Sequence, residues 1–124
     1  MKKLIGTTAA IGTALMLAAT ATGKDGDVEV AGTCNGRSSS ELDLSRENGR
    51  IEVEFEVDQN RNGVRWTVTL HRNGAFVGRR VRVTRGPSGS FEARFVTRNG
   101  PGADRFVARA TRPGERCSAR ASFS

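Results

Sequence analysis

The chain has 124 residues and carries 20 lysines and arginines against 13 aspartates and glutamates. That length permits one domain and excludes a TIM barrel, a Rossmann dehydrogenase or a multidomain enzyme. With one histidine and two cysteines, the chain also lacks the residues for a zinc site made of four cysteine or histidine ligands.

The first residues have the features of a secretory signal peptide. Lys2 and Lys3 precede an uncharged, mostly apolar stretch at residues 4–19, and Ala19-Thr20-Ala21 is a small-x-small cleavage pattern. The alternative is a transmembrane anchor, which needs a longer apolar stretch than this one. We therefore expect residues 1–21 to be removed and the mature protein to be secreted, without a transmembrane span, either free or associated with the cell envelope.

Two cysteines, Cys34 and Cys117, remain after this cleavage. In an oxidising compartment such a pair predicts a structural disulfide, and its wide spacing differs from that of redox-active pairs. We expect a flexible N-terminal segment over residues 22–33 and a single domain over residues 34–124.

Within that domain the dominant pattern is an alternation of apolar and polar residues, which predicts half-buried β-strands. Seven such segments lie near residues 41–44, 51–58, 64–70, 80–83, 91–95, 105–110 and 116–123. Turn sequences separate most of them, with Asn-Gly pairs at 48–49, 62–63, 73–74 and 99–100 and prolines at 87 and 113. Because one-sided antiparallel sheets bury their apolar faces against each other, we predict an all-β, antiparallel, seven-stranded sandwich.

This pattern resembles the immunoglobulin-like and fibronectin type III-like β-sandwiches. Trp66 lies on the third predicted strand, where such domains often have a core tryptophan, and residues 102–110 resemble their penultimate strand, with Phe106 in place of the corner tyrosine. The resemblance implies that strands one, two and five share one sheet, and that strands three, four, six and seven share the other. The chain is also similar to small secreted proteins of actinobacteria, which implies no particular activity.

Charge is segregated along the chain. Residues 22–58 include four basic and ten acidic residues, whereas residues 59–124 include fourteen arginines and three acidic residues. With the implied sheets, one outer face would be acidic and the other rich in arginine. The acidic face would carry Glu41, Asp43, Glu52, Glu54, Glu56 and Glu92 with Arg94, and the basic face would carry Arg65, Arg80, Arg82, Arg105, Arg109, Arg116 and Arg120.

Arginine forks match phosphate and carboxylate groups, so the arginine set predicts an anion-binding face. The alternative is that these arginines only keep the sheet soluble and discourage edge pairing. The expected partners are anionic envelope components or an acidic protein. Nucleic acid is not expected, because the alternation directs the aromatic residues into the core and leaves no stacking platform. Self-association of the acidic face with the basic face is a third option.

Catalysis has little support in the sequence. His71 lies beside a turn and is expected to be exposed, and residues 86–90 depart from the nucleophile-elbow pattern. Residues 58–63 resemble the ligand spacing of a calcium loop but lack its closing glutamate. We predict a non-catalytic binding module with no metal or cofactor. A small-molecule carrier or a secreted protein inhibitor is the alternative function.

Overall fold

A computed structural model describes residues 27–123, in which nine β-strands and no helix are present. The strands are β1 (Val28–Ala31), β2 (Thr33–Cys34), β3 (Ser39–Glu47), β4 (Arg50–Asp58), β5 (Arg65–Arg72), β6 (Ala75–Val83), β7 (Ser90–Arg98), β8 (Asp104–Arg112) and β9 (Glu115–Phe123). The all-β prediction is confirmed, and the predicted signal peptide lies outside the described residues. Over the range that is described, no helix is long and apolar enough to cross a membrane.

The strands form two antiparallel sheets, one with the order β1-β3-β4-β7 and the other with the order β2-β9-β8-β5-β6. The seven predicted strands correspond to β3–β9, and they divide between the sheets as the resemblance implied. The predicted number is wrong, because β1 and β2 are additional. β1 pairs with β3 in a segment expected to be flexible; its four residues are too few for the alternation to stand out.

Two hairpins close with the turns that the sequence predicts. Asn48-Gly49 joins β3 to β4 and Asn73-Gly74 joins β5 to β6, and all four residues have φ values between 49° and 83°. Asparagine and glycine tolerate this left-handed region better than other residues, which is why they favour two-residue hairpins. The turn predicted at Asn99-Gly100 is not formed there; the chain passes from one sheet to the other, and Gly102 has the positive φ instead.

The apolar residues of the alternating strands lie between the two sheets. The largest fully buried side chains are Trp66, Phe55, Phe95, Phe106, Leu42, Leu44, Ile51 and Leu70. The centroids of the Trp66 and Phe91 rings are 6.0 Å apart. Nε1 of Trp66 donates a hydrogen bond of 3.0 Å to Oε1 of Gln59. The indole therefore contributes its whole apolar surface to the core while its one donor is satisfied.

A disulfide and an ion pair add connections to this core. The predicted bond between Cys34 and Cys117 is present and joins residues directly opposite each other on β2 and β9. The buried carboxylate of Asp104 accepts hydrogen bonds from Arg72, whose Nη1 also donates to Oγ1 of Thr97 on the other sheet. Arg72 therefore links the two sheets at one end of the sandwich.

We expect Trp66→Ala to lower the free energy of unfolding by about 3–5 kcal/mol, because it removes a large buried side chain and leaves a cavity. Urea denaturation measures this loss. Thr67→Ala, on the opposite side of the same strand, is the control and is expected to change stability by less than about 1 kcal/mol. Equal stability of the two variants would contradict the core placement of Trp66.

The double variant Cys34→Ser/Cys117→Ser is expected to lose about 4 kcal/mol of stability, because the bond joins residues 83 positions apart and restricts the unfolded chain. Chemical denaturation of the oxidised wild type and of the variant gives this difference. Wild type under reducing conditions is the second comparison and should unfold like the variant.

Candidate anion-binding face

Six arginines lie on the outer side of the five-stranded sheet, which we call the arginine face. They are Arg65 on β5, Arg79 on β6, Arg105 and Arg109 on β8, and Arg116 and Arg120 on β9, and all are exposed. The strand register places them on one side, since Thr69 is opposite both Arg79 and Arg109. Within the described strands of this sheet, the only acidic residues, Asp104 and Glu115, are buried on the other side.

Four of these residues, Arg105, Arg120, Arg109 and Arg116, alternate between β8 and β9, and we call them the arginine zigzag. Each is opposite a serine, threonine or valine on the neighbouring strand, so its nearest arginine is the diagonal neighbour. Successive members are offset by two residues along the strands, or about 6.8 Å, and the zigzag extends over about 20 Å. The hairpin therefore presents a regular row of guanidinium groups.

Two open depressions lie on either side of Arg120. The first, of about 440 Å³, is lined by Arg109, Arg120 and Ser118, among others. The second, of about 420 Å³, is lined by Arg105, Arg120 and Ser122, among others. Each is lined by two arginines and a serine, whose side chains can donate several hydrogen bonds to an anionic oxygen bound there.

The guanidinium groups of the arginine face make no hydrogen bond, ion pair or ring contact with other residues in the range 27–123. Several arginines elsewhere in the described residues do make such contacts. Arg72 pairs with Asp104, and Arg112 pairs with Glu115. The donors of the arginine face are thus available to a ligand, which distinguishes them from the arginines that hold the fold together.

The outward orientation predicted for Arg80 and Arg82 is wrong. Arg80 is opposite Val68 and Arg82 is opposite Trp66, so both lie on the core side of β6. A register shift between Leu70 and His71 is the cause, because one extra residue in a strand transfers all later side chains to the other face. Without the shift, the two-residue turn would have produced the predicted alternation.

Arg80 and Arg82 instead fill the space between the edge strands β6 and β7. The Arg80 guanidinium lies 4.5 Å from the centroid of the Phe95 ring. Both arginines donate from Nη1 to the carbonyl of the preceding residue, and Arg82 Nε also donates to the carbonyl of Glu92 on β7. They are therefore structural residues that occupy backbone acceptors at the sheet edges, where unpaired groups invite association.

The same register shift brings Arg79 to the arginine face. Phe76, whose ring was expected in the core, is 61% exposed on that face, because it lies on the turn side of the shift and is opposite the outward-facing His71. His71 is half-buried rather than exposed, and its ring packs edge-on against that of Phe76 at 5.7 Å. Gly78, inside β6, was the available signal, because glycine within a strand often accompanies a bulge.

The outer side of the four-stranded sheet, which we call the carboxylate face, has the predicted acidic character. Its outward positions hold nine carboxylates, Glu29, Glu41, Asp43, Glu47, Glu52, Glu54, Glu56, Asp58 and Glu92, and three arginines, Arg50, Arg94 and Arg98. Arg94 forms an ion pair with Glu52. Glu41 and Asp43 are directly opposite Glu56 and Glu54, so like charges lie side by side.

This crowding changes the acidity of the face. The pKa of Asp43 is raised to about 7, first by burial and then by Glu41, Glu29, Glu54 and Glu56. Burial and neighbouring carboxylates also raise the pKa of Glu54 and of Glu56. One carboxylate oxygen of Asp43 is buried without a hydrogen-bond partner. The negative charge of the carboxylate face is therefore only partly neutralised within the described molecule.

Compared with protein-family models, curated proteins and solved structures, the chain matches none at a significant level.

We expect the protein to become more stable as the pH falls from about 8 to about 5. The folded-state pKa of Asp43, about 7, lies above the ordinary value of 3.8, so the folded chain holds this proton more tightly. The resulting stabilisation is complete below the unfolded pKa and is lost as the pH rises through about 7. Urea denaturation at the two pH values measures the effect. Asp43→Asn should reduce it, and an unchanged pH dependence in that variant would contradict the assignment.

Proposed function

We propose that this protein is a non-catalytic binding module that holds an extended anionic polymer on its arginine face. The observation that supports this is the arginine zigzag, whose guanidinium groups contact no other residue in the described range and whose sheet has no outward carboxylate in its described strands. Each arginine has five donors in a planar fork that suits phosphate and carboxylate groups. The strand register fixes the positions of the four arginines in a row before a ligand binds, so the backbone does not have to rearrange on binding.

The number and spacing of the arginines favour a polymer over a single anion. One exposed ion pair contributes at most about 1 kcal/mol. A polymer that follows the zigzag for about 20 Å contacts four guanidinium groups at once, and it releases bound counterions as it does so. The depressions beside Arg120 are open and are lined by arginine and serine together with valine and alanine. Because an apolar molecule is carried in an enclosed cavity, their open form suits an anionic chain lying across the sheet better.

Nucleic acid is a less favoured polymer. Phe76 offers one exposed ring, but it lies on β6, which is separated from the β8–β9 hairpin by β5. Strong binding of single strands combines a phosphate-tracking groove with several aromatic stacking positions. The arrangement therefore favours polymers that are recognised through their anionic groups alone, such as those of a cell envelope.

We also infer that the protein is secreted and that its sandwich is of the immunoglobulin-like type. The disulfide is compatible with an oxidising compartment. The grouping of β3, β4 and β7 in one sheet, with β5, β6, β8 and β9 in the other, supports the immunoglobulin-like assignment.

The zigzag predicts a specific loss of polyanion binding. The variant Arg105→Ser/Arg109→Ser/Arg116→Ser/Arg120→Ser is expected to bind inorganic polyphosphate at least about tenfold more weakly than wild type. The slope of log K against the logarithm of the salt concentration should also become shallower by about three units, because four cationic contacts are lost. Fluorescence anisotropy over a salt series measures both quantities.

The matched control removes the same charge from elsewhere, as Arg50→Ser/Arg61→Ser/Arg85→Ser/Arg98→Ser. All four of these residues are exposed and none lies on the arginine face. If both variants bound polyphosphate equally weakly, net charge alone would explain the loss, and a dedicated binding face would be contradicted. Polygalacturonate and single-stranded DNA, titrated in parallel, determine whether phosphate, carboxylate or a stacking base is preferred.

A further inference from the structure

We infer that copies of this protein associate by stacking the carboxylate face of one copy on the arginine face of the next. The proposed polymer binding uses only the arginine face and gives the carboxylate face no role. A second copy of the chain supplies a surface of the required charge. Three features support this partner. The two faces have opposite charges, their charged residues recur at the same interval, and the carboxylate face carries repulsion that a basic surface would relieve.

The charges of the two faces are complementary. The arginine face has six arginines and, in its described strands, no outward carboxylate. The carboxylate face has nine carboxylates and three arginines. When all these groups are ionised, the two formal excesses are equal in size and opposite in sign. Such complementarity directs association and fixes relative orientation.

The spacing of the charges also matches. Glu52, Glu54, Glu56 and Asp58 occupy successive outward positions on β4, and the arginine zigzag has one member for each corresponding step along the β8–β9 hairpin. Both intervals are two residues of an extended strand, about 6.8 Å, and both rows extend over about 20 Å. When β4 of one copy lies along the hairpin of another, each step can bring a carboxylate to a guanidinium group.

The carboxylate face carries electrostatic repulsion that a basic surface would relieve. After burial, the neighbouring carboxylates are the main cause of the raised pKa of Asp43. Glu92 and Glu41 act on Glu56 in the same direction. Approaching guanidinium groups stabilise the ionised carboxylates and offset this repulsion. The guanidinium groups of the arginine face have no partner among the described residues, so both surfaces gain contacts when they meet.

The position of the two faces determines the form of the assembly. They are the outer surfaces of opposite sheets, so a copy bound through one face still presents the other. The contact is heterologous, and it extends into an open stack instead of closing as a two-fold dimer. With sheets about 10 Å apart, the stack has a repeat of about 20 Å.

Sedimentation velocity tests this proposal. At an ionic strength of about 0.01 M we expect the weight-average mass of the wild type to rise with concentration, and at about 1 M we expect monomer, because salt screens exposed charges. A wild type that is monomeric at low salt up to its solubility limit would overturn the proposal. Since polyphosphate binding is measured separately, that result would leave the proposed function standing.

Two charge-reversed variants make the test specific for the two faces. The first is Glu41→Lys/Glu54→Lys/Glu56→Lys/Glu92→Lys, and the second is Arg105→Glu/Arg109→Glu/Arg116→Glu/Arg120→Glu. Each has two faces of like charge, so neither should associate alone. A mixture of equal amounts should associate, because one variant retains the native arginine face and the other retains the native carboxylate face.

The controls separate this contact from misfolding and from net charge. Thermal unfolding establishes that each variant is folded, and the first variant should still bind polyphosphate. Arg37→Glu/Arg61→Glu/Arg85→Glu changes three exposed residues that lie outside the strands and on neither face, so it makes the net charge more negative away from the proposed contact and should still associate. Association of either reversed variant alone to the wild-type extent, or no association when folded variants are mixed, would refute the proposed contact.

Discussion

Successive side chains of a β-strand point to opposite sides of its sheet, and the rest of this structure depends on that constraint. In β4, Ile51, Val53 and Phe55 are fully buried between the sheets, so the glutamates between them have to lie outside. The same holds for every strand that packs on the core. The polar residues that alternate with the buried ones therefore form the outer face of each sheet.

The division of strands between sheets converts charge segregation along the chain into charge segregation in space. β3 and β4 come from the acidic part of the sequence and lie together in one sheet. β5, β6, β8 and β9 come from the arginine-rich part and lie together in the other. A different assignment of the same strands would have mixed the charges on both faces. The two-faced surface is thus a property of the topology as well as of the composition.

The arginines serve two purposes that only their contacts distinguish. Arg72 neutralises the buried Asp104 and links the sheets, and its loss would leave a buried charge without a partner. Arg80 and Arg82 occupy backbone carbonyls at the sheet edges. The arginines of the zigzag make no such contacts with any of residues 27–123. Binding is therefore attributed to a subset of the arginines, and the net charge of the chain is a poor guide to where a ligand would be held.

Several features were determined by the sequence alone, because they follow from local periodicity and composition. Alternation identified β3–β9, the Asn-Gly pairs identified two hairpin turns, and the cysteine count identified the disulfide. The alternation also placed four members of the arginine face, Arg105, Arg109, Arg116 and Arg120, on the outer side of β8 and β9.

The tertiary structure decided what depends on pairing between strands. The register shift at Leu70 and His71 moved Arg80 and Arg82 to the core side and brought Arg79 to the surface. One extra residue reverses every later side chain, and its insertion is set by how β6 fits against β5, which local sequence does not specify. β1 likewise exists because β3 offers it an edge. Local pattern determined which residues alternate, whereas pairing between distant strands determined which of them face a partner.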